Sequence, residues 1–441
     1  MAELYPFRGV TYSADKIVSF DRVVTQPYDM ITPEVQKSYY QRNPYNFVRI
    51  IRPMEEKAGT DERYKQAGET LRSWMDEGVL SRSAAACFYP YHQIYRVPGT
   101  GETYTRRGFV GLGKLSDFSE GIIRPHEHTH NGPKIDRLKL TRATGCQFGQ
   151  LFMLYSDPEG SVNGLLDSAV ENASPLIELE DEYGVVHRMW SVERAELIQA
   201  VQRGMKDKSL YIADGHHRYE TALTYWRERR TAGVEVIGNE AVDRAMMTFV
   251  RLQDNGLIVL PSHRILFGLK DFSLPCLIES LSEEFEVSEV GRATQNDLIK
   301  SLETISGRRW SFLLAAKGEH KLFDLRLKPG IRPADRIEGT QSDVWKSLDV
   351  TVLHKLILER RLRISPEDLE HQRRVEYLRE PSETLERVLH PASKYQLAFF
   401  LNHTSVEEVT AVADRGECMP QKSTFFYPKM LTGLVFNQIN Q

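Results

Sequence analysis

The stretch Tyr211-Ile212-Ala213-Asp214-Gly215-His216-His217-Arg218-Tyr219-Glu220-Thr221-Ala222-Leu223 decides how this chain is read. Its apolar start, Leu210 to Ala213, reads as the end of a short strand, followed by a tight polar turn and the first turns of a helix. Asp214 is predicted to cap that helix, its carboxylate accepting from N–H groups that have no partner in a first turn. Gly215 lets a backbone or a ligand come close. His216, His217 and Arg218 then put cationic or hydrogen-bonding groups at the positive end of the helix. Free N–H groups, the helix dipole and a planar guanidinium together suit a phosphate or carboxylate. The structural alternative is a capped helix with two surface histidines and an arginine paired with Glu220 or another carboxylate. Helix propensity does not favour adjacent histidines at such a position, and anion binding is the reading taken.

Around this stretch the chain has 441 residues, too many for one small core, so two or three domains are expected. At 41% hydrophobic and 27% charged residues it has the composition of an ordinary globular protein. A net charge of −4 offers no bulk attraction to nucleic acid. No apolar run approaches a membrane span and the N-terminus lacks a signal-peptide pattern, so a cytoplasmic protein without a membrane partner is expected. Cys87, Cys146, Cys276 and Cys418 are widely separated and form no C-x-x-C pair, which argues against a zinc ribbon or a disulfide framework. Each reads as a small buried or half-buried side chain.

Upstream, Gln26-Pro27-Tyr28-Asp29 is an extended piece running into a turn, and Thr32-Pro33-Glu34 opens a helix. Asp29 reads equally as a turn former or as a carboxylate facing a pocket. Phe47-Val48-Arg49-Ile50-Ile51-Arg52-Pro53 is predicted to be a strand, with Arg49 and Arg52 on opposite faces. Residues 61 to 78 have helical spacing closed by Gly78, and 86–97 with 106–115 form a hairpin around Gly99-Thr100-Gly101-Glu102.

A second polar constellation is Arg124-Pro125-His126-Glu127-His128-Thr129-His130, followed by Lys134 and Arg137 in a predicted helix from Asp136 to Thr144. In an extended segment His126, His128 and His130 share one face. They suit a divalent metal, with Glu127 as a further ligand or base. They equally suit donation to phosphate oxygens, with Lys134 and Arg137 adding charge. A solvated loop is the plain alternative. A third piece, Pro261-Ser262-His263-Arg264, places His263 and Arg264 after a strand end, a position favoured for ligand groups in open sheets. Beyond a boundary near 267–273 lie helix 274–284, strand 285–290, helix 295–305, strands 310–316 and 321–327, helix 348–363, strand 395–401 and helix 405–413. In the tail, Met419 to Lys429 sets Lys422, Ser423, Thr424 and Lys429 beside three aromatics. That loop suits closure over a phosphate or base ring, or an aromatic anchor for the C-terminus.

At Asp214 to Leu223 the chain resembles the ParB/sulfiredoxin-like superfamily. Over almost its whole length it resembles domain-of-unknown-function family 1015, a bacterial family assigned to that superfamily. The segments that carry the resemblance are Gln26 to Asp29, Arg49-Ile50-Ile51, His126 to Leu138, Asp214 to Ala222, Pro261 to Arg264 and Met419 to Lys429. Free serine kinases of the superfamily share the D-G-H-H-R letters of Asp214 to Arg218. The cysteine that sulfiredoxins use in the preceding loop is absent here, as are a helix-turn-helix and a basic face of the kind ParB proteins use on DNA.

The resemblance implies a mixed α/β fold: a ParB/sulfiredoxin-like core with mixed sheet and covering helices over 1–268, and a C-terminal α+β unit over 269–441 whose tail returns to the site. It also implies a phosphoryl-transfer enzyme, kinase- or phosphatase-like, acting on a small metabolite for which serine or phosphoserine is the suggested substrate. Asp29, Glu127, Asp214, His216 and His217 are the candidate catalytic groups, the carboxylates as base or magnesium ligand. Gly215, Arg218, His126, Arg137, His263, Arg264, Lys422, Ser423 and Thr424 are the candidates for holding ATP, ADP or CTP, or a small phosphate-containing ligand. Two further readings stand beside this one: a nucleotide-binding switch without rapid turnover, and a metal-dependent hydrolase on His126, His128 and His130. Nucleic acid is not an expected partner.

Overall fold

The computed structural model describes residues 1–54, 61–129, 131–234 and 238–439. The chain divides into two compact units. The first comprises 1–125, 129–258 and 428–441, and the second 126–128 and 259–427. The division thus falls at 258/259 rather than 268/269, and the last fourteen residues belong to the first unit.

The first unit is built on a mixed sheet, nine-stranded among the described residues. The order across it is Ile123–Arg124, Leu210–Asp214, Leu151–Tyr155, Arg244–Arg251, Thr103–Lys114, Tyr89–Arg96, Val186–Met189 and Ile177–Glu180, with Leu4–Tyr5 beside Thr103–Lys114. Leu210–Asp214 runs parallel to Ile123–Arg124 and antiparallel to Leu151–Tyr155, which is parallel to Arg244–Arg251. The hairpin expected around Gly99 joins Tyr89–Arg96 to Thr103–Lys114. Strands of this sheet and helices Ser161–Val170, Ala195–Met205 and His216–Thr231 bury a core that includes Phe109, Met153, Tyr155, Leu166, Val201, Tyr219 and Phe249. That burial is the main source of its stability.

Phe47 to Pro53 is not a strand. Val48–Ile51 is a helical turn in which Val48, Ile50 and Ile51 are all buried. The Oδ1 of Asn46 accepts from the Val48 N–H at 3.0 Å, and its Nδ2 donates to the Arg22 carbonyl at 2.8 Å. This local cap and burial on every side override the β preference of Val and Ile. Helix Asn131–Thr144 starts at Asn131 rather than at Asp136.

The second unit carries an antiparallel sheet in the order Phe285–Arg292, Lys321–Leu327, Ser311–Ala316, Tyr395–Leu401, His263–Phe267 and Val375–Leu378. Helices Gln295–Ile305 and Pro381–Leu389 pack on it around Leu298, Leu313, Leu385, Val388 and Phe400. Thr294 caps the former, and Ser365 and Ser405 form capping boxes with Asp368 and Glu408. The expected helix over 348–363 runs without a break from Asp349 to Glu359 but changes winding: Asp349–Val352 is α-helical and Leu353–Glu359 is wider, and just beyond it the Leu362 N–H reaches the Ile357 carbonyl. Leu353, His354, Leu356, Ile357 and Leu358 are all buried there, so packing sets the winding. Among the described residues no helix is long and apolar enough to cross a membrane.

Candidate functional site

Strand Leu210–Asp214 ends one residue later than its apolar run, and after a register shift between Ile212 and Asp214 the last residue pairs with Phe152. Gly215 follows at φ +101°, ψ 24°, and helix His216–Thr231 begins at once. The cap position is therefore Gly215, which has no side chain with which to cap the helix. Asp214 does something other than cap. Its Oδ2 accepts from Arg218 Nη2 at 2.5 Å and its Oδ1 from Lys429 Nζ at 2.5 Å. Arg218 Nη1 donates to the Gln150 carbonyl, also at 2.5 Å. Two cations thus share one carboxylate, and one of them comes from the chain's last segment.

Glycines make room for this clamp. A Cβ on Gly215 would stand 3.1 Å from Arg218 Nε and Nη2, and one on Gly149 would stand 3.0 Å from Arg218 Nη1. Arg106, buried to 1% exposure, donates to the Gln93 side chain and the Pro428 carbonyl and so fixes the residue before Lys429. Gln93 also donates to the Lys429 carbonyl at 3.0 Å. Burial alone would raise the Asp214 carboxyl; the Lys429 ammonium and the Arg218 guanidinium outweigh it and hold the group well below the usual carboxylate range.

Glu220 does not pair with Arg218. It accepts from Thr129 Oγ1 and Lys134 Nζ, both at 2.8 Å, tying helix Asn131–Thr144 to helix His216–Thr231. Between these helices lies a cavity of about 70 Å³ lined by Tyr28, Arg137, Gln147, Phe148, Arg218 and Met246 among others. Arg137 stacks on the Tyr28 ring at 4.3 Å. Arg137, Asp214, Gly215 and Arg218 therefore meet within the first unit. His216 is buried and His217 half-buried at the head of the same helix. Asp29 is exposed in the turn Tyr28–Met30, and its neighbour Tyr28 is the cavity wall.

A second group gathers in the other unit. His126 Nε2 lies 3.0 Å from Thr424 Oγ1, the His126 carbonyl accepts from Met419 N at 2.7 Å, and Glu127 Oε1 accepts from Lys422 N at 3.5 Å. Lys422 is exposed at φ +56°. Ser423 is buried, its hydroxyl donating to the Pro420 carbonyl and its own carbonyl accepting from Thr404 at 2.9 Å. The tail loop is thus pinned by local bonds.

His263 and Arg264 stand inside strand His263–Phe267, not after a strand end. Both are 1% exposed. Arg264 donates to the Ser262 carbonyl, to His354 Nε2 at 3.3 Å and to the Lys422 carbonyl at 3.3 Å. His263 packs on the Phe400 ring at 5.2 Å, and burial beside Arg264 pushes its imidazole down to about 3, so it is neutral. This pair belongs to the core. For a metal, His130 lies outside the described residues, and among the described residues no three His, Cys, Asp or Glu side chains converge. Asp214 does not suit a magnesium ion either, since both its oxygens are already taken by cations.

Tyr28, Gln150 and Arg106 were not among the candidates drawn from the sequence. Tyr28 stands next to Asp29, and a phenol carries less chemical signal in a sequence than the carboxylate beside it. The Gln150 contribution is a backbone carbonyl, which no residue type announces.

The mixed α/β sheet with a D-G-H-H-R junction, clamped by a lysine from the last segment, defines the class of protein. Residues 4–351 match the family described as "Protein of unknown function (DUF1015)", and the chain belongs to that family. No curated protein matches it in sequence. Among solved structures it is similar to a free serine kinase variant in complex with ADP, at 15% identity and TM-score 0.33, covering 70% of this chain and 87% of that one. It is similar also to a conserved hypothetical protein from Pyrococcus furiosus, at 16% identity and TM-score 0.31, covering 70% and 90%. A third is SbnI with C-terminal truncation from Staphylococcus aureus, at 12% identity and TM-score 0.32, covering 73% and 85%.

Proposed function

We propose that the chain is a phosphoryl-transfer enzyme acting on a small metabolite, with a phosphate held at the head of helix His216–Thr231. The observation that carries this reading is the clamp of Arg218 and Lys429 on Asp214. It gathers two cations on one carboxylate at a helix terminus whose cap residue, Gly215, has no side chain. An oxyanion is the group that such a site neutralises. Phosphoryl transfer needs mostly positioning and charge neutralisation, which this arrangement supplies from fixed groups. Asp214 is a positioning residue in this scheme, because a carboxylate held ionised by two cations is a weak proton acceptor. His216 and His217 remain the candidate proton carriers at that helix. Serine or phosphoserine is the substrate suggested by the letters that Asp214 to Arg218 share with free serine kinases.

The test is thermal stabilisation of the purified protein by ATP, ADP, CTP and phosphoserine with magnesium, beside Arg218→Ala. Ligand at a hundred times its Kd stabilises by about 2.7 kcal/mol, a shift readily measured. A rise in wild type that disappears in Arg218→Ala supports the reading, whereas no rise with any phosphate compound rejects it.

The weak basicity of Asp214 also favours a second reading, a nucleotide-binding switch that holds its ligand without rapid turnover. Following nucleotide consumption in the same samples separates the two.

A further inference from the structure

The cavity at Arg218 is built along one stripe of helix His216–Thr231. Arg218, Thr221, Ala222 and Tyr225 all line it, a spacing that puts them on the same face of the helix. The space therefore extends from the first turn, where Arg218 meets Asp214, toward the middle of the helix. Much of the remaining wall is apolar: Leu140, Cys146, Phe148, Ala245 and Met246 line it and are all buried. Burial pushes the Cys146 thiol up to about 12, so it stays protonated and serves as a small apolar group.

The neutral polar side chains on this wall spend their hydrogen bonds inside the protein. Thr221 Oγ1 donates to the His217 carbonyl at 2.7 Å, and Thr141 Oγ1 donates to the Arg137 carbonyl at 3.1 Å. Gln147 donates to the Arg244 carbonyl at 2.8 Å and accepts from Met246 N at 2.9 Å. The charged groups among the described lining residues are Arg137 and Arg218. Each is bonded to a carboxylate, Asp136 and Asp214 respectively, that does not line the space. A guanidinium carries five N–H donors, so both retain some for an oxyanion.

Size narrows what can follow the oxyanion. An apolar cavity of about 150 Å³ holds one benzene ring. On that scale the 70 Å³ here takes about three carbon atoms and excludes a ring. Ala222 lies about 6 Å along the helix axis from Arg218, the reach of a phosphate ester with a chain of that length.

We infer, on the phosphate reading given above, that the ligand of this site is a small phosphate ester whose organic part is a short apolar chain of about three carbons. The phosphate sits at the Arg218 end and the chain lies along Ala222 and Met246.

Calorimetric titration of the full chain with methyl, ethyl and n-propyl phosphate tests it, beside phenyl phosphate and phosphoserine. The wild-type Kd should fall about fourfold for each methylene added from methyl to propyl, the usual gain on burying one CH₂. Phenyl phosphate, too large for the space, should bind no tighter than propyl phosphate. Ala222→Leu and Ala245→Val, each first shown to melt cooperatively, fill the cavity and should flatten the series. A gain with chain length that flattens in either variant supports the inference. A gain that survives in both folded variants places the chain elsewhere and overturns it, as does tighter binding of phenyl phosphate or phosphoserine than of propyl phosphate. Equal Kd values for the three alkyl esters also overturn it; if Arg218→Ala then weakens all three, the phosphate reading stands without the apolar chain. No binding of any ester rejects both together.

Discussion

At the scale of single residues, Asp214 is the member of the clamp whose loss is most informative. Its side chain is 20% exposed, with Arg218 at 13% and Lys429 at 10%, so the ion pairs are only partly screened. Replacing it with Asn leaves two half-buried cations facing each other, a change that typically costs about 3 kcal/mol or more. The pH dependence follows from the depressed carboxyl. A group whose folded pKa lies below its unfolded value stabilises fully above the unfolded value, and that stability is lost as pH falls through the folded one. The deficit of Asp214→Asn against wild type, measured by urea unfolding, should therefore be constant from neutral pH down to about pH 4 and shrink in stronger acid. A deficit that vanished near pH 6 would assign the effect to a different group.

At the scale of elements, the junction between strand Leu210–Asp214 and helix His216–Thr231 depends on one backbone conformation. Gly215 sits at φ +101°, where an L side chain is strained, and an added Cβ would press on Arg218 and Leu151. Gly215→Ala should cost about 1–3 kcal/mol and abolish any ligand-induced rise in melting temperature by displacing the guanidinium. A variant that melts lower yet keeps that rise would show that Arg218 tolerates the shift. Much at this scale was legible in the sequence. The strand–turn–helix, the hairpin at Gly99 and helix Gln295–Ile305 follow from periodicity, glycines and a threonine cap that act locally. Phe47 to Pro53 was not legible, because its helical turn is stabilised by Asn46 and by burial on all sides, while its β-branched residues argue for a strand. Strand Val375–Leu378 and helix Pro381–Leu389 drew no assignment at all. The clamp was half legible: Arg218 and Lys429 each stood out by type, but the Asp214 carboxylate that joins them was read as a cap, its commonest role in such turns.

At the scale of the molecule, the first unit is completed by the segment Pro428–Gln441. Phe436 packs against Phe47 and Phe148, at centroid distances of 5.5 and 5.3 Å, and Met430, Leu431, Leu434 and Val435 are also buried. Asn437–Gln438 pairs antiparallel with Cys146–Gln147. Losing five buried apolar side chains, at about 2–5 kcal/mol each, exceeds the whole stability of a typical domain. Deleting residues 428–441 should leave the first unit without cooperative structure. Hydrogen exchange would then show fast amides in Leu151–Tyr155 and Leu210–Asp214, against continued protection in Tyr395–Leu401 of the second unit. Persistent slow exchange in Leu210–Asp214 would contradict the prediction.

The placement of Lys429 also sets an order of events during synthesis. A ribosome delivers Asp214 and Arg218 more than two hundred residues before Lys429, and the whole of 259–427 emerges in between. Throughout that interval the nascent strand–turn–helix carries one cation on Asp214 rather than two. The finished clamp is thus a late product of translation, and a truncated or stalled chain would expose the motif without its lysine.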